Sequence, residues 1–179
     1  MKEKVMYLPN DVFLPLVLDE LKQYPDKTAT INLRGRSMRP FLEDGRDKAI
    51  LKLVTGDDCQ KGDAVLAEIQ PGHYVLHRID TISSEGTVKL MGDGNLNYEH
   101  CRKEDIRAKA VGFIRKGREK ADMTTGRKWR TYSWFWTRLK PLRRYLLFAC
   151  HPHIPGFLRP LSSWTSQAAK PSEGVGGSK

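Results

Sequence analysis

Apolar positions in this chain change their spacing twice, and each change marks a change of element. Between residues 11 and 23 they recur at helical intervals, and Asn10 stands where a helix cap belongs. The spacing predicts a helix over 11–23 with Val12, Leu16, Leu18 and Leu21 as its buried face. Pro15 falls one turn in, where its missing N–H does little harm, and Tyr24-Pro25-Asp26 ends the element. From Thr28 onward short β-rich runs take over, at 28–33, 48–54, 63–69, 73–81, 86–91 and 108–115. Between them stand Gly56-Asp57-Asp58, Pro71-Gly72, Ser83-Ser84-Glu85-Gly86 and Gly92-Asp93-Gly94-Asn95. Strands this short, with turn signals between them, predict a compact, mostly β barrel or sandwich. Beyond it, residues 116–130 read as a charged linker. Residues 131–150 join four arginine and lysine positions to a dense set of aromatics and leucines, and Pro141 would kink any helix there. Residues 165–179 read as a Gly/Ser-rich disordered tail.

Composition adds a division of labour. A chain of 179 residues with 39% hydrophobic positions holds one core, or at most two small ones, and does not suit a multi-span membrane protein. Its net charge of +10 is uneven. Residues 1–100 carry 13 Lys/Arg against 16 Asp/Glu, whereas residues 101–160 carry 16 against 4. A slightly acidic body therefore bears a strongly basic extension. Cys59, Cys101 and Cys150 lie far apart without a C-x-x-C pair, which argues against a disulfide framework or a zinc ribbon and for thiols in a reducing compartment. The apolar stretch near the N-terminus is broken by Pro9, Asn10, Asp11 and Pro15, so it makes a poor signal peptide. No window approaches the roughly 20 apolar residues of a membrane-spanning helix. A cytoplasmic location is the expectation.

Three clusters could carry chemistry. Gly35-Arg36-Ser37-Met38-Arg39-Pro40 follows the first strand and holds a serine at a strand end, before a proline-set turn. Such a hydroxyl becomes a nucleophile only when a neighbouring base takes its proton; taken alone, it is a cap or turn residue. In Tyr74-Val75-Leu76-His77-Arg78-Ile79, alternation puts Tyr74, Leu76 and Arg78 on one face and Val75, His77 and Ile79 on the other. A partly buried imidazole there suits a general base, or equally a satisfied core histidine. Met91-Gly92-Asp93-Gly94-Asn95 offers Asp93 as the acid that fixes the His77 tautomer, or else an ordinary hairpin turn. His73, His100, His151 and His153 have no carboxylate or thiolate partners at metal spacing, apart from the adjacent His100-Cys101. Neither a metal nor another cofactor is expected.

Taken together, Gly-x-Ser-Met-x-Pro at 35–40, Gly62-Asp63-Ala64-Val65, His77-Arg78 and Gly92-Asp93-x-Asn95 resemble, in order and approximate spacing, the signal peptidase I / LexA-like serine peptidase superfamily over about residues 30–115. The histidine before Arg78 resembles the endoplasmic-reticulum and archaeal type rather than the bacterial lysine type. The resemblance implies Ser37 as nucleophile, His77 as general base and Asp93 as assisting acid. Glu99 is a partial match to a second acidic position, and Met38 and Pro40 would shape the turn behind the serine. It departs from the family at Gly35, which has no hydroxyl to lend to an oxyanion hole, and in the transmembrane anchor typical of signal peptidases, which is missing. The Arg-Asp-Lys run at 46–48 replaces the commoner Gly-Asp start of the next strand.

The expected organisation is an N-terminal helical segment (1–27), a LexA/signal-peptidase-like β-barrel domain (28–116), a basic aromatic extension (117–164) and the tail (165–179). The tryptophans at 129, 134 and 136 within that extension fit an anchor on anionic membrane, a stacking surface for nucleic acid, or a cover for the barrel. The expected function is a serine endopeptidase that cleaves a leader or precursor peptide near the inner face of the membrane. The alternatives are a non-catalytic LexA-like module that binds nucleic acid or a protein through the basic extension, and a peptidase fold kept for protein contacts. Against the nucleic-acid reading, no helix-turn-helix precedes the barrel.

Overall fold

The computed structural model describes residues 9–139, together with Leu142, Tyr145 and Leu147. Helix α1 (Asn10–Gln23) leads into β1 (Thr28–Asn32), β2 (Lys48–Leu53), β3 (Ala64–Gln70), β4 (His73–Ile82), β5 (Thr87–Met91), β6 (Glu99–Arg102), β7 (Ile106–Ile114) and β8 (Asp122–Met123), and helix α2 (Arg127–Arg138) follows. The strands form one antiparallel sheet in the order β1-β2-β7-β3-β4-β5-β6, with β8 on β7. The sheet ends at β1 and β6, so the expected closed barrel is corrected to an open sheet. Alternation specifies which face a strand buries, but not the stagger that closing a barrel demands.

That alternation builds two apolar clusters from neighbouring residues. Ala64, Leu66, Ala108 and Ala110 join one, which holds Phe41, Phe113 and Trp129; Val65, Ala67, Ile79, Leu90 and Ile106 join the other. Helix α1 covers the first with Leu14, Leu18 and Leu21, spaced four and three residues apart along one stripe. Val12 and Leu16, expected on that stripe, are instead 47% and 58% exposed. They sit two residues out of phase, about 200° round the helix from Leu14 and Leu18. Nor does Asn10 cap the helix: Pro9 occupies the cap position and its carbonyl accepts from the Val12 and Phe13 N–H groups. Between β2 and β3, Gly56 lies against a second short turn, where a Cβ would stand 2.3 Å from the Lys103 carbonyl oxygen; only glycine lets the two backbones approach so closely.

Residues 116–130, expected as a linker, instead contain β8 and the start of α2. The helix turns Trp129, Tyr132, Ser133 and Trp136, at i, i+3, i+4 and i+7, onto the sheet. Trp129 packs on Phe113 with ring centroids 4.7 Å apart, and Tyr132 stacks on Phe41 at 4.6 Å. In its described part the aromatic segment thus covers the sheet. Pro141, Cys150, the His151–His153 pair and the tail at 165–179 lie outside the described residues. Among the described residues, no helix is long and apolar enough to cross a membrane.

Candidate active site

Strand register decides which groups meet. Arg78 stands opposite Met91, Ile79 opposite Leu90, and Leu90 opposite Glu99. Residues opposite each other share a face, as do residues two apart along a strand. His77, Ile79, Leu90 and Glu99 therefore line one face, while Arg78 and Met91 line the other, with Asp93 two residues further on. The side chains follow this parity. His77 Nδ1 lies 2.7 Å from Glu99 Oε2. The contact is close but falls outside hydrogen-bond geometry, and neither buried atom makes a hydrogen bond among the described residues. The interaction with His77 holds the Glu99 carboxyl below its ordinary pKa, against the opposing effect of burial.

On the other face Arg78 forks onto Asp93, Nε to Oδ1 at 2.9 Å and a terminal nitrogen to Oδ2 at 2.7 Å. Its other terminal nitrogen donates to the Gly62 carbonyl at 3.0 Å and to Ser133 Oγ at 2.6 Å. The guanidinium also lies 4.5 Å from the centre of the Trp129 ring. Burial works against the Arg78 cation, but the Asp93 charge and hydrogen bonds outweigh it and hold its pKa above the ordinary value. Both Asp93 carboxylate oxygens are thereby engaged, and Tyr132 donates a further bond to Oδ2 at 2.9 Å. The resemblance implies Asp93 behind His77. The structure puts Glu99 there and gives Asp93 to Arg78.

Ser37 sits in the loop between β1 and β2, half-buried. Met38, Phe41 and Leu42 pin the loop to the first apolar cluster, whereas Pro40, expected with Met38 to shape the turn behind the serine, is exposed. The loop's far end is fixed by Asp47, fully buried, which accepts from Arg46, from the Glu43 N–H and from the Lys116 N–H. Gly35 has a φ of 89°, and its N–H donates to Asp44 at 3.0 Å. Residues 34–36 are left exposed.

The turn after β5 joins this loop to His77. The Gly94 N–H donates to the Ser37 carbonyl at 2.6 Å. A Cβ on Gly92 would lie 2.5 Å from the Ser37 carbonyl oxygen and 3.0 Å from His77 Nε2, so those two atoms are at most the sum of these distances, 5.5 Å, apart. A Cβ on Gly94 would lie 2.6 Å from the Arg36 carbonyl. Neither glycine is among those with positive φ, so both serve close approach rather than turn geometry. Gly92→Ala should therefore push the Ser37 loop aside without unfolding the chain. Because the clash is with backbone, we expect a loss of roughly 1–3 kcal/mol, read as a lower melting transition by circular dichroism.

His73 and His100 are exposed, and no cluster of His, Cys, Asp or Glu among the described residues could hold a metal ion. Cys59 and Cys101 are free and buried, and burial pushes both thiols up to about 11. Compared with protein-family models, with curated proteins and with solved structures, the chain finds no match in any of the three.

Proposed function

We propose that the protein is a serine endopeptidase of signal-peptidase-like type, working through Ser37, His77 and Glu99 on a leader or precursor peptide. One observation carries the reading: His77 sets Nδ1 2.7 Å from a carboxylate oxygen of Glu99, with Nε2 on the side of the Ser37 loop. Ser37 Oγ attacks the scissile carbonyl carbon while Nε2 takes its proton. Glu99 holds the tautomer and steadies the imidazolium. The C–N bond then breaks as Nε2 returns that proton to the leaving amine. Water, deprotonated by the same nitrogen, hydrolyses the acyl-serine. Because Gly35 contributes no hydroxyl, the oxyanion relies on backbone donors that include the Ser37 N–H. Edge strand β1 runs directly into the Ser37 loop, which suits a substrate bound as an added strand. The test is digestion of a diverse peptide library, read by mass spectrometry, with wild type, Ser37→Ala and His77→Ala. Equal cleavage by all three would end the reading.

The outer face of α2 supports a peripheral site of action at the inner face of an anionic membrane. Trp134 and Phe135 are 50% and 53% exposed and lie edge to face, and the Arg138 guanidinium is 4.5 Å over the Trp134 ring. Co-sedimentation with vesicles of mixed anionic and zwitterionic lipid should fall about tenfold in Trp134→Ser/Phe135→Ser. Salt-sensitive binding of duplex DNA, with no hydrolysis and no vesicle binding, would instead favour the non-catalytic module.

A further inference from the structure

Helix α2 lies outside the stretch that resembles a peptidase, yet it holds both ends of the apparatus that places His77 and Ser37. Tyr132 donates to Asp93 Oδ2 at 2.9 Å, and Trp136 Nε1 donates to the Asp93 backbone carbonyl at 3.1 Å. Ser133 Oγ accepts from Arg78, the residue directly after His77, at 2.6 Å. Asp93 stands between Gly92, where an added Cβ would meet both His77 Nε2 and the Ser37 carbonyl, and Gly94, whose N–H bonds that carbonyl. The helix thus grips the turn by one side chain and one backbone group, and the turn grips the nucleophile's loop.

We propose that Tyr132 and Trp136 are positioning residues. By fixing Asp93 from the opposite face of the sheet, they set the turn at 92–95 and hence the distance between the Ser37 loop and His77 Nε2. This rests on the peptidase reading for its catalytic consequence, but not for its structural one. The basic aromatic segment is then a working wall of the site, and its bulk substitution disables the protein even where nothing touches substrate.

The test uses the full chain with Tyr132→Phe, which keeps the ring and loses its O–H, Trp136→Phe, which stays aromatic but loses the indole N–H, and Thr131→Ala at an exposed position of the same helix as control. Amide exchange at Gly94, followed by NMR, reads the turn independently of activity. Kinetics on the best-cleaved library peptide read the chemistry. Both inner variants should lose at least tenfold of the Gly94 protection, and about ten- to a hundredfold of kcat at unchanged KM, with the fold intact by circular dichroism. The control should change neither. Unaltered Gly94 exchange in both inner variants would overturn the proposal, as would faster exchange with undiminished kcat. Faster exchange in a protein whose wild type cleaves no peptide would leave the positioning role standing and remove the peptidase.

Discussion

Exchanging His77 for alanine is expected to lower peptide hydrolysis by roughly 10⁴–10⁶-fold, and Ser37→Ala by as much, while the double variant loses no more than either single one. Groups that act as one unit lose their joint contribution once, so additive losses would show that they act separately. Glu99→Gln discriminates further. It keeps size and packing but removes the charge that steadies the imidazolium, and the cost should be about 10²–10⁴-fold in kcat. Its effect on stability depends on pH. The Glu99 carboxyl sits below its ordinary pKa in the folded chain, so its interaction with His77 contributes fully above the unfolded value, near 4.3, and fades as pH falls through the lower folded one. Wild type and Glu99→Gln should therefore converge in melting temperature in strong acid and separate toward neutrality. Full activity in Glu99→Gln would remove the carboxylate from the mechanism.

The sheet was legible because strand alternation and turn residues are local signals. All six expected strands fall within two residues of those found, from β1 at 28–32 to β7 at 106–114. The two missed strands carry little pattern: β6 is the four residues Glu-His-Cys-Arg and β8 has only two. Glu99 was in view as a second acidic position, but not as the partner of His77, because it reaches the imidazole only when β6 pairs with β5. The displacement of Asp93 could have been anticipated from parity. Once β4 and β5 are paired with Arg78 opposite Met91, an acid two residues beyond Met91 belongs to the Arg78 face. What local pattern could not supply was that register. The inner stripe of α2 was similarly masked. Its i, i+3, i+4, i+7 spacing is present in the sequence, but the surrounding arginines and lysines, at 127, 128, 130 and 138, draw attention to charge instead.

Removing the Asp93 side chain should strike the fold first and the setting of the 92–95 turn with it. Asp93→Ala leaves Arg78, only 3% exposed, as a buried cation without its bidentate partner, and it also strips Tyr132 of its acceptor. Breaking such a pair costs about 3–5 kcal/mol, because the surviving charge stays desolvated. For a domain of this size that corresponds to a fall of roughly 10–20 °C in the midpoint of a thermal melt. The paired replacement Arg78→Met/Asp93→Leu removes the stranded charge along with the ion pair, so it should melt well above Asp93→Ala despite carrying more changes. A loss under about 1 kcal/mol in Asp93→Ala would mean that water reaches Arg78, and the dry wall between α2 and the sheet would fall with it. The contrast with Glu99 is the informative part. Two carboxylates six positions apart lie on opposite faces of one sheet: the buried one is forked by arginine, and its loss strands a charge, while the partly exposed one stands beside imidazole, where the proposed peptidase would show its loss in rate.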